Sequence, residues 1–490
     1  MYKEIQKEDI VKVTDKLKAS FESRIKEKIG EEKAVSLSSS IVILTDVYGF
    51  PYRKELLRTL GWNEYAVFTH EDKIYIASHS YQGVKEALDF IASRANEEKP
   101  DVDFRGFAES FPTDIPDYGN GKYVGAFDHD DGNFGFIAEE TDGSEFDSYI
   151  RRVKLCGYKE EKHTEIAGNR YILLKSELDR MIYAYFSPAA GRASVIGGNN
   201  TYKDVNISGD GDICRPLLWQ GHPSASNGGM GMSYFLRLSD SSFFVIDGGF
   251  NNNGEEDDLM ASLERLNVRP DGRIIIRCWL ITHGHDDHYN TLRGFAENKA
   301  DRVTVENIAF SPTHADYLKN SDTPSHWDIF SAVGSFEGCG KVKPFAGQKW
   351  LLPGCVVDVL FSAQDVFNNP FYVKSLNNAS TVIRVSVSGQ TILFPADIEA
   401  DSADIICACY GDYLKSDIVQ IAHHGYHGAS DGFYTLCQPK LVLYPVMEGY
   451  DIRFDNNEHG NYVWRRLPSV KKVAPSYMGS ETFELPYDFG

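Results

Sequence analysis

The chain has 490 residues and a formal net charge of −21, length for roughly two to four domains and a sizeable buried core. So acidic a chain repels a phosphate backbone unless a local basic patch overrides the average, and neither Lys16–Lys28, interleaved with Glu22 and Glu27, nor the short Arg465–Lys472 stretch supplies one. Met1–Ile10 lacks the apolar core of a signal peptide, no run nears the ~20 apolar residues of a membrane span, and the eight cysteines form no CxxC pair. The expectations are a cytoplasmic chain with free thiols, a small-molecule substrate, no membrane partner and no long nucleic acid; composition leaves the oligomeric state open.

In chain order, Ile5, Ile10, Val13, Leu17, Phe21 and Ile25 recur at helical spacing. Ser40–Leu44 reads as a strand, Asp46–Pro51 as a turn and Arg53–Leu60 as a helix. Tyr65–His70 and Lys73–Ser78 read as a hairpin around Glu71-Asp72, and Gly83–Ala95 as a further helix. Residues 1–100 are thus expected to form an α/β module. Its β-α-β-β-α order resembles the accessory domain that precedes the catalytic barrel in some glycoside hydrolases. Pro100–Pro116 reads as a linker. Residues 101–200 read as a small α+β module, with a helix over Phe146–Leu155. Its strands are Tyr158–Lys162, Arg170–Leu174 and Met181–Ser187, with a turn at Ala167-Gly168-Asn169. His129, among Asp128, Asp130 and Asp131, reads as part of a surface loop rather than a cation site.

Residues 201–490 change texture, with frequent glycines and most of the informative histidines. Arg273–Ile281 is a nearly continuous apolar run, as in a strand buried on both faces. Thr282-His283-Gly284-His285-Asp286-Asp287-His288 follows at once. Imidazoles and carboxylates are the ligands that Zn²⁺, Mn²⁺ and Fe take from proteins. Gly284 removes the side chain that would crowd His283 and His285, and Asp287 and His288 begin the next helix. Asp286 is expected to be exposed.

This His-x-His-x-Asp-His run after an apolar strand resembles the signature of the metallo-β-lactamase superfamily, and further elements follow in order. Strands over Ser233–Leu238 and Ser242–Ile246 lead to Asp247-Gly248-Gly249, whose aspartate buttresses the metal loop in that family. A hairpin over Thr381–Ser388 and Thr391–Phe394 leads to Asp397, which resembles the bridging aspartate. Asp417–Ala422 leads to His423-His424-Gly425, where either histidine is a candidate ligand, with His424 favoured. The run Asn377-Asn378-Ala379-Ser380-Thr381, with Asp397-Ile398-Glu399 and His423-His424-Gly425, is most similar to the soluble metallo-β-lactamase domain of the competence protein ComEC. The resemblance covers roughly residues 215–480.

The resemblance implies a four-layer αββα sandwich in the C-terminal half. It also implies a dinuclear centre held by His283, His285, Asp287, His288, Asp397 and His424, with His423, Asn377 and Asp247 as further contributors. Where many superfamily members carry a third histidine on the first metal, this chain has none between His326 and His423. Asn377 stands near that place, and His314 is a fallback. Two divalent ions are expected, Zn²⁺ first, with Mn²⁺ or Fe also compatible. A metal-bound hydroxide would attack a phosphoester, phosphodiester or ester-type substrate. Asp287 would orient it and His459 would orient the substrate or protonate the leaving group; His427 and Ser430 follow the histidine pair. Phe371, Tyr372, Lys374 and Tyr426 are the residues that a nucleic-acid channel would draw on. The alternative is a glycan-binding protein with a residual metallo-β-lactamase domain; di-iron redox chemistry is disfavoured, because no flavin-binding segment is present.

Overall fold

The computed structural model describes residues 7–44, 57, 60, 62–96, 103–107, 115–119, 122–129, 131–209, 211–222, 231–251, 254–313, 323–336, 338–365, 375–450 and 463–490. Ile5, the expected Asp46–Pro51 turn, most of the Arg53–Leu60 helix, Asp130, His314, Phe371, Tyr372, Lys374 and His459 lie outside them. The chain divides into two compact units. One holds the described residues up to His163 and Arg170–Asn200; the other holds Thr164–Asn169, Thr201–Val366 and Ser375–Gly490.

The first unit opens with the helix Lys7–Ile29, whose Leu17, Phe21 and Ile25 are buried at the expected spacing. A four-stranded sheet follows, in the order Ile41–Ile43, Lys73–Ser78, Glu64–His70, Asp103–Phe107. The expected hairpin is present, with Glu71 at its tip in a left-handed conformation. The helix Tyr81–Ser93 starts where the Ser80 hydroxyl accepts the Gly83 N–H at 2.9 Å. The linker reading of Pro100–Pro116 needs correction, because Asp103–Phe107 is an edge strand. Its Phe104 stacks on Phe90 with ring centroids 4.2 Å apart, an apolar pairing that a solvated linker would not make.

A six-stranded antiparallel sheet carries the helix Gly143–Leu155, which begins at a capping box of Asp142 and Glu145. His129 is buried rather than on a surface loop. Its N–H donates to the Asn133 carbonyl at 2.9 Å, and the missing side chain of Gly135 makes room for its ring.

The second unit is an αββα sandwich, built from two mixed sheets whose inner faces share one apolar layer. The first sheet runs Gly340–Val342, Asn307–Ala309, Ile274–Leu280, Phe243–Asp247, Ser233–Arg237, Leu217–Gln220, Glu481–Glu484. The second runs Lys349–Leu352, Cys355–Phe361, Val382–Val387, Gln390–Phe394, Ile418–Gln420, Leu441–Tyr444, Lys472–Pro475. Leu236, Phe244 and Leu280 from one meet Val357, Val385 and Leu443 from the other. Helices Glu255–Leu266, Asp286–Asn298 and Thr323–Gly334 cover the outer face of the first sheet through Leu263, Leu292 and Ile329. Every residue of Ile274–Leu280 is buried, as its nearly continuous apolar pattern predicts. Its one charge, Arg277, sits at a bulge where Phe243 pairs Ile276 and Phe244 pairs Cys278. Gln390–Phe394, Ile418–Gln420 and Leu441–Tyr444 run parallel, so their C-terminal ends and the loops after them lie side by side.

None of the eight cysteines, all among the described residues, is in a disulfide; Cys278, Cys355 and Cys437 are buried, whereas Cys156 is exposed. Among the described residues no helix is long and apolar enough to cross a membrane.

Candidate metal centre

Three loops, each leaving the C-terminal end of a strand, bring the ligating residues together. Ile274–Leu280 delivers the histidine-rich turn, in which His285 is the N-cap of the helix Asp286–Asn298. Asp287 and His288 therefore lie in the first helical turn, while Asp286 faces solvent. A Cβ on Gly284 would meet the Leu376 side chain at 3.2 Å, so a larger residue there would have to shift that side chain by a few tenths of an ångström. Gln390–Phe394 delivers Asp397 through a turn with Ala396 at a φ of 52°. Gln420 clamps that turn, accepting the Ala396 N–H at 2.8 Å and donating to the Ala396 carbonyl at 3.0 Å.

Ile418–Gln420 delivers His423, His424 and Gly425, three consecutive residues with φ of 49°, 55° and 84°. Left-handed backbone at two successive histidines is costly and persists only where the surroundings enforce it. Here the two ring centroids lie 6.1 Å apart, their planes tilted by 60°. A Cβ on Gly425 would come within 2.7 Å of the Tyr444 ring.

Asp287, His288, Asp397 and His424 each offer a ligand atom within 4.8 Å of the others, a grouping that can hold a metal ion. The hydrogen bonds fix which ring nitrogens face inwards. His288 Nδ1 donates to Asp247 Oδ2 at 2.8 Å, which leaves Nε2 towards Asp397 Oδ2 at 3.2 Å and Asp287 Oδ2 at 3.6 Å. His424 Nδ1 donates to the Pro445 carbonyl at 3.0 Å, which leaves Nε2 3.1 Å from Asp287 Oδ2 and 3.4 Å from Asp397 Oδ2. Two imidazole lone pairs thus point at two carboxylates. Such an arrangement is tolerable only with a positive charge between them, either a proton or a metal cation. Burial works against protonation of His424, yet Asp397 and Asp287 outweigh it and push the ring up to about 9. Burial opposes it at His288 as well, but Asp397, Asp287 and Asp247 hold that ring well above the usual histidine range. A divalent cation would take the place of those protons. Asp397 Oδ1 fits the same reading, being buried without a hydrogen-bond partner among the described residues.

His283 and His285 lie beside this group. His283 Nε2 is 3.9 Å from Asp397 Oδ2 and 3.1 Å from His285 Nδ1. Thr282 Oγ1 donates to Asp247 Oδ2 at 2.9 Å and so accepts from His283 Nδ1 at 3.2 Å, turning the Nε2 lone pair inwards. Asp247, itself with a φ of 56°, also accepts the Thr282 N–H at 2.8 Å. It orients His288 directly and His283 through Thr282.

Of the other expected contributors, Asn377 lies in the short 3-10 turn Leu376–Ala379 with Nδ2 3.1 Å from His423 Nε2. His423 therefore faces Asn377, apart from the group that holds His424. His427 is exposed, its ring 4.3 Å from that of Tyr426, and the Ser430 hydroxyl donates to Asp404 at 2.9 Å. The Pro445 carbonyl and Gln420 escaped the sequence reading, and Thr282 and Glu399 carried no role in it. A backbone carbonyl and a buried amide carry no motif; Thr282 and Glu399 were visible only as flanking residues of the His283–His288 and Asp397 runs.

The family model of the Metallo-beta-lactamase superfamily matches residues 226–431, and these form a domain of that superfamily. The solved structures similar to the chain include the metallo-beta-lactamase fold protein YhfI from Bacillus subtilis, at 10% identity and a TM-score of 0.36, covering 55% of this chain and 100% of that one. CmlA, a diiron beta-hydroxylase from Streptomyces venezuelae, is 13% identical with a TM-score of 0.31, covering 55% of this chain and 54% of that one. Igni18, a metallo hydrolase from Ignicoccus hospitalis, is 14% identical with a TM-score of 0.31, covering 55% and 99%. No curated protein matches the chain.

Proposed function

We propose that the C-terminal unit is a metal-dependent hydrolase of small substrates, with phosphoesters and phosphodiesters ahead of carboxylic esters. One observation carries this reading. His288 and His424 each have Nδ1 committed to an acceptor and turn Nε2 onto the carboxylates of Asp287 and Asp397. Asp287, His288, Asp397 and His424 would hold one divalent ion. His283 and His285 would hold a second, with Asp397 shared between them. Zn²⁺ suits a set of imidazoles and carboxylates, as do Mn²⁺ and Fe. Such ions, when bound, supply Lewis acidity and bring water to a usefully low pKa.

The chain's own groups supply orientation. Asp247 fixes His288 directly and His283 through Thr282. Gln420 and the Ser380 hydroxyl, which accepts the Asp397 N–H at 3.2 Å, fix Asp397. The preference for phosphodiesters rests on the likeness of Asn377-Asn378-Ala379-Ser380, Asp397-Ile398-Glu399 and His423-His424-Gly425 to the competence-protein domain. The net charge of −21 favours a small substrate over a long nucleic acid.

The test is metal content by elemental mass spectrometry, on the wild type and on His424→Ala and His285→Ala. About two ions per chain, with each variant losing one or both, supports the dinuclear hydrolase. About one ion, lost in His424→Ala and kept in His285→Ala, restricts the centre to the first group. No ion after soaking in Zn²⁺ or Mn²⁺ would sink the reading. A loaded enzyme is then expected to cleave a nitrophenyl phosphodiester faster than nitrophenyl acetate, relative to each uncatalysed rate.

A further inference from the structure

Beside the metal-ligating group lies a second hydrogen-bonded set that the reading above does not use: Glu399, Asn378, Asn377 and His423. Glu399 Oε1 accepts from Asn377 Nδ2 and Oε2 from Asn378 Nδ2, both at 3.3 Å. The Asn378 amide has one consistent orientation, because its Oδ1 accepts the Glu399 N–H at 3.2 Å and the Ser402 N–H at 3.4 Å. The Asn377 amide is oriented by charge. A flipped amide would set its oxygen against the Glu399 carboxylate, so the NH₂ group must face it. The second hydrogen of that NH₂ points to His423 Nε2 at 3.1 Å.

A ring nitrogen that accepts a hydrogen bond carries no proton, so neutral His423 must carry its hydrogen on Nδ1. That atom is buried and has no hydrogen-bond partner among the described residues. An unmet buried donor costs stability. The ring is also held on strained backbone, with a φ of 49° at a non-glycine residue. Costs of both kinds at one residue mark a position kept for binding. The ring centroid lies 6.1 Å from that of His424, a member of the metal-ligating group.

We infer that His423 is not a metal ligand but a hydrogen-bond donor, through Nδ1–H, to an anionic oxygen of the molecule bound at the centre. Asn377 and Glu399 are positioning residues that impose the tautomer. The inference rests on the metal-centre reading for its ligand and on the Glu399–Asn377–His423 contacts for its geometry. Phosphoryl oxygens suit such a donor, since a hydrogen bond to a charged acceptor is stronger than one between neutral groups. The choice of Nδ1–H also separates the two adjacent histidines: His424 spends Nδ1–H on a carbonyl and turns a lone pair inwards, whereas His423 spends its Nε2 lone pair on Asn377 and keeps a proton to offer.

Two measurements on the full chain test this. In the first, long-range ¹H–¹⁵N spectra of metal-free protein labelled at histidine nitrogen report the tautomer, with His423 assigned from its loss in His423→Ala. The Nδ1-protonated pattern is expected in the wild type, and a shift to the Nε2-protonated pattern in Asn377→Leu. An Nε2-protonated wild type, or a tautomer unchanged in Asn377→Leu, overturns the network. In the second, Zn²⁺ content and the affinity of Zn²⁺-loaded protein for inorganic phosphate are compared between wild type and His423→Ala. Unchanged Zn²⁺ content with phosphate affinity down by about tenfold or more is expected. Loss of Zn²⁺ in His423→Ala makes His423 a ligand and overturns the inference, as does unchanged phosphate affinity. A chain that takes up no Zn²⁺ refutes the metal-centre reading and the ligand half of this one, while the tautomer result in the metal-free chain still decides the network.

Discussion

Asp247 never faces the metal position, yet replacing it should impair metal binding almost as much as removing a ligand. Its carboxylate accepts three hydrogen bonds at 2.8–2.9 Å, from Thr282 N, Thr282 Oγ1 and His288 Nδ1. Asp247→Asn keeps the shape but replaces one acceptor oxygen with a donor NH₂. The carboxamide oxygen can serve Thr282 N, which leaves the NH₂ facing His288 Nδ1–H. Two donors cannot share that contact, so His288 should move its proton to Nε2, the atom it turns on Asp397 and Asp287. An imidazole protonated there offers no lone pair to a cation. Outer-shell changes of this kind cost about 10–100-fold in metal affinity, or about 1.4–2.7 kcal/mol. Competition with a chromophoric Zn²⁺ chelator should show that loss, while circular dichroism stays that of the wild type. Affinity within about threefold of wild type would refute the claim that Asp247 sets the His288 tautomer.

Other expectations follow from contacts away from the ligands. Gly425→Ala should lower Zn²⁺ content and thermal stability together, since its Cβ would lie 2.7 Å from the Tyr444 ring at a φ of 84°; unchanged metal content would show that the turn adapts. Arg277 donates to Asp240 Oδ2 and to Glu306 Oε1, each at 2.6 Å, and the Asp240 side chain is fully buried. Arg277→Ala should therefore cost about 3–5 kcal/mol by denaturant unfolding, because it strands a buried charge; a loss below about 1 kcal/mol would place that carboxylate in contact with water. Burial holds His79 down at about 4 against an ordinary 6.5, in spite of its Nε2–H donating to the Leu57 carbonyl at 2.9 Å. The unfolded chain then binds the proton more readily than the folded one. Stability is full above pH 6.5 and falls as the pH drops towards 4, by about 3 kcal/mol for this group. Denaturant midpoints of wild type and His79→Gln between pH 7 and 4.5 should converge at the acid end; parallel curves would refute this.

The sandwich was legible because burial writes itself into sequence. Ile274–Leu280 reads as a nearly continuous apolar run, interrupted by Arg277, and is buried at every residue. The hairpin over Val382–Val387 and Gln390–Phe394 lies within a residue or so of its expected bounds. Asp103–Phe107 was missed because three prolines around it read as a linker, and a five-residue edge strand carries too few alternations to overrule them. His129 was misplaced for a related reason: three aspartates nearby read as solvent, while its burial depends on Gly135, on the neighbouring strand.

The chemistry of the centre was legible as residue types and not as proton positions. The sequence puts two histidines side by side at 423 and 424 with nothing between them to separate their roles. Their difference is made by partners distant in the chain: a backbone carbonyl at Pro445 for one and a carboxamide at Asn377 for the other. A backbone carbonyl is present at every residue, so no motif can announce it. A carboxamide is ambiguous until something fixes its two ends, and here Glu399 does so from 22 residues away. Ligand identity is thus a local property of the loop, whereas tautomer is a property of the whole hydrogen-bond network. In this site a lone change at Asn377 should alter the chemistry of His423 without touching the histidine, and a lone change at Asp247 should do the same to His288.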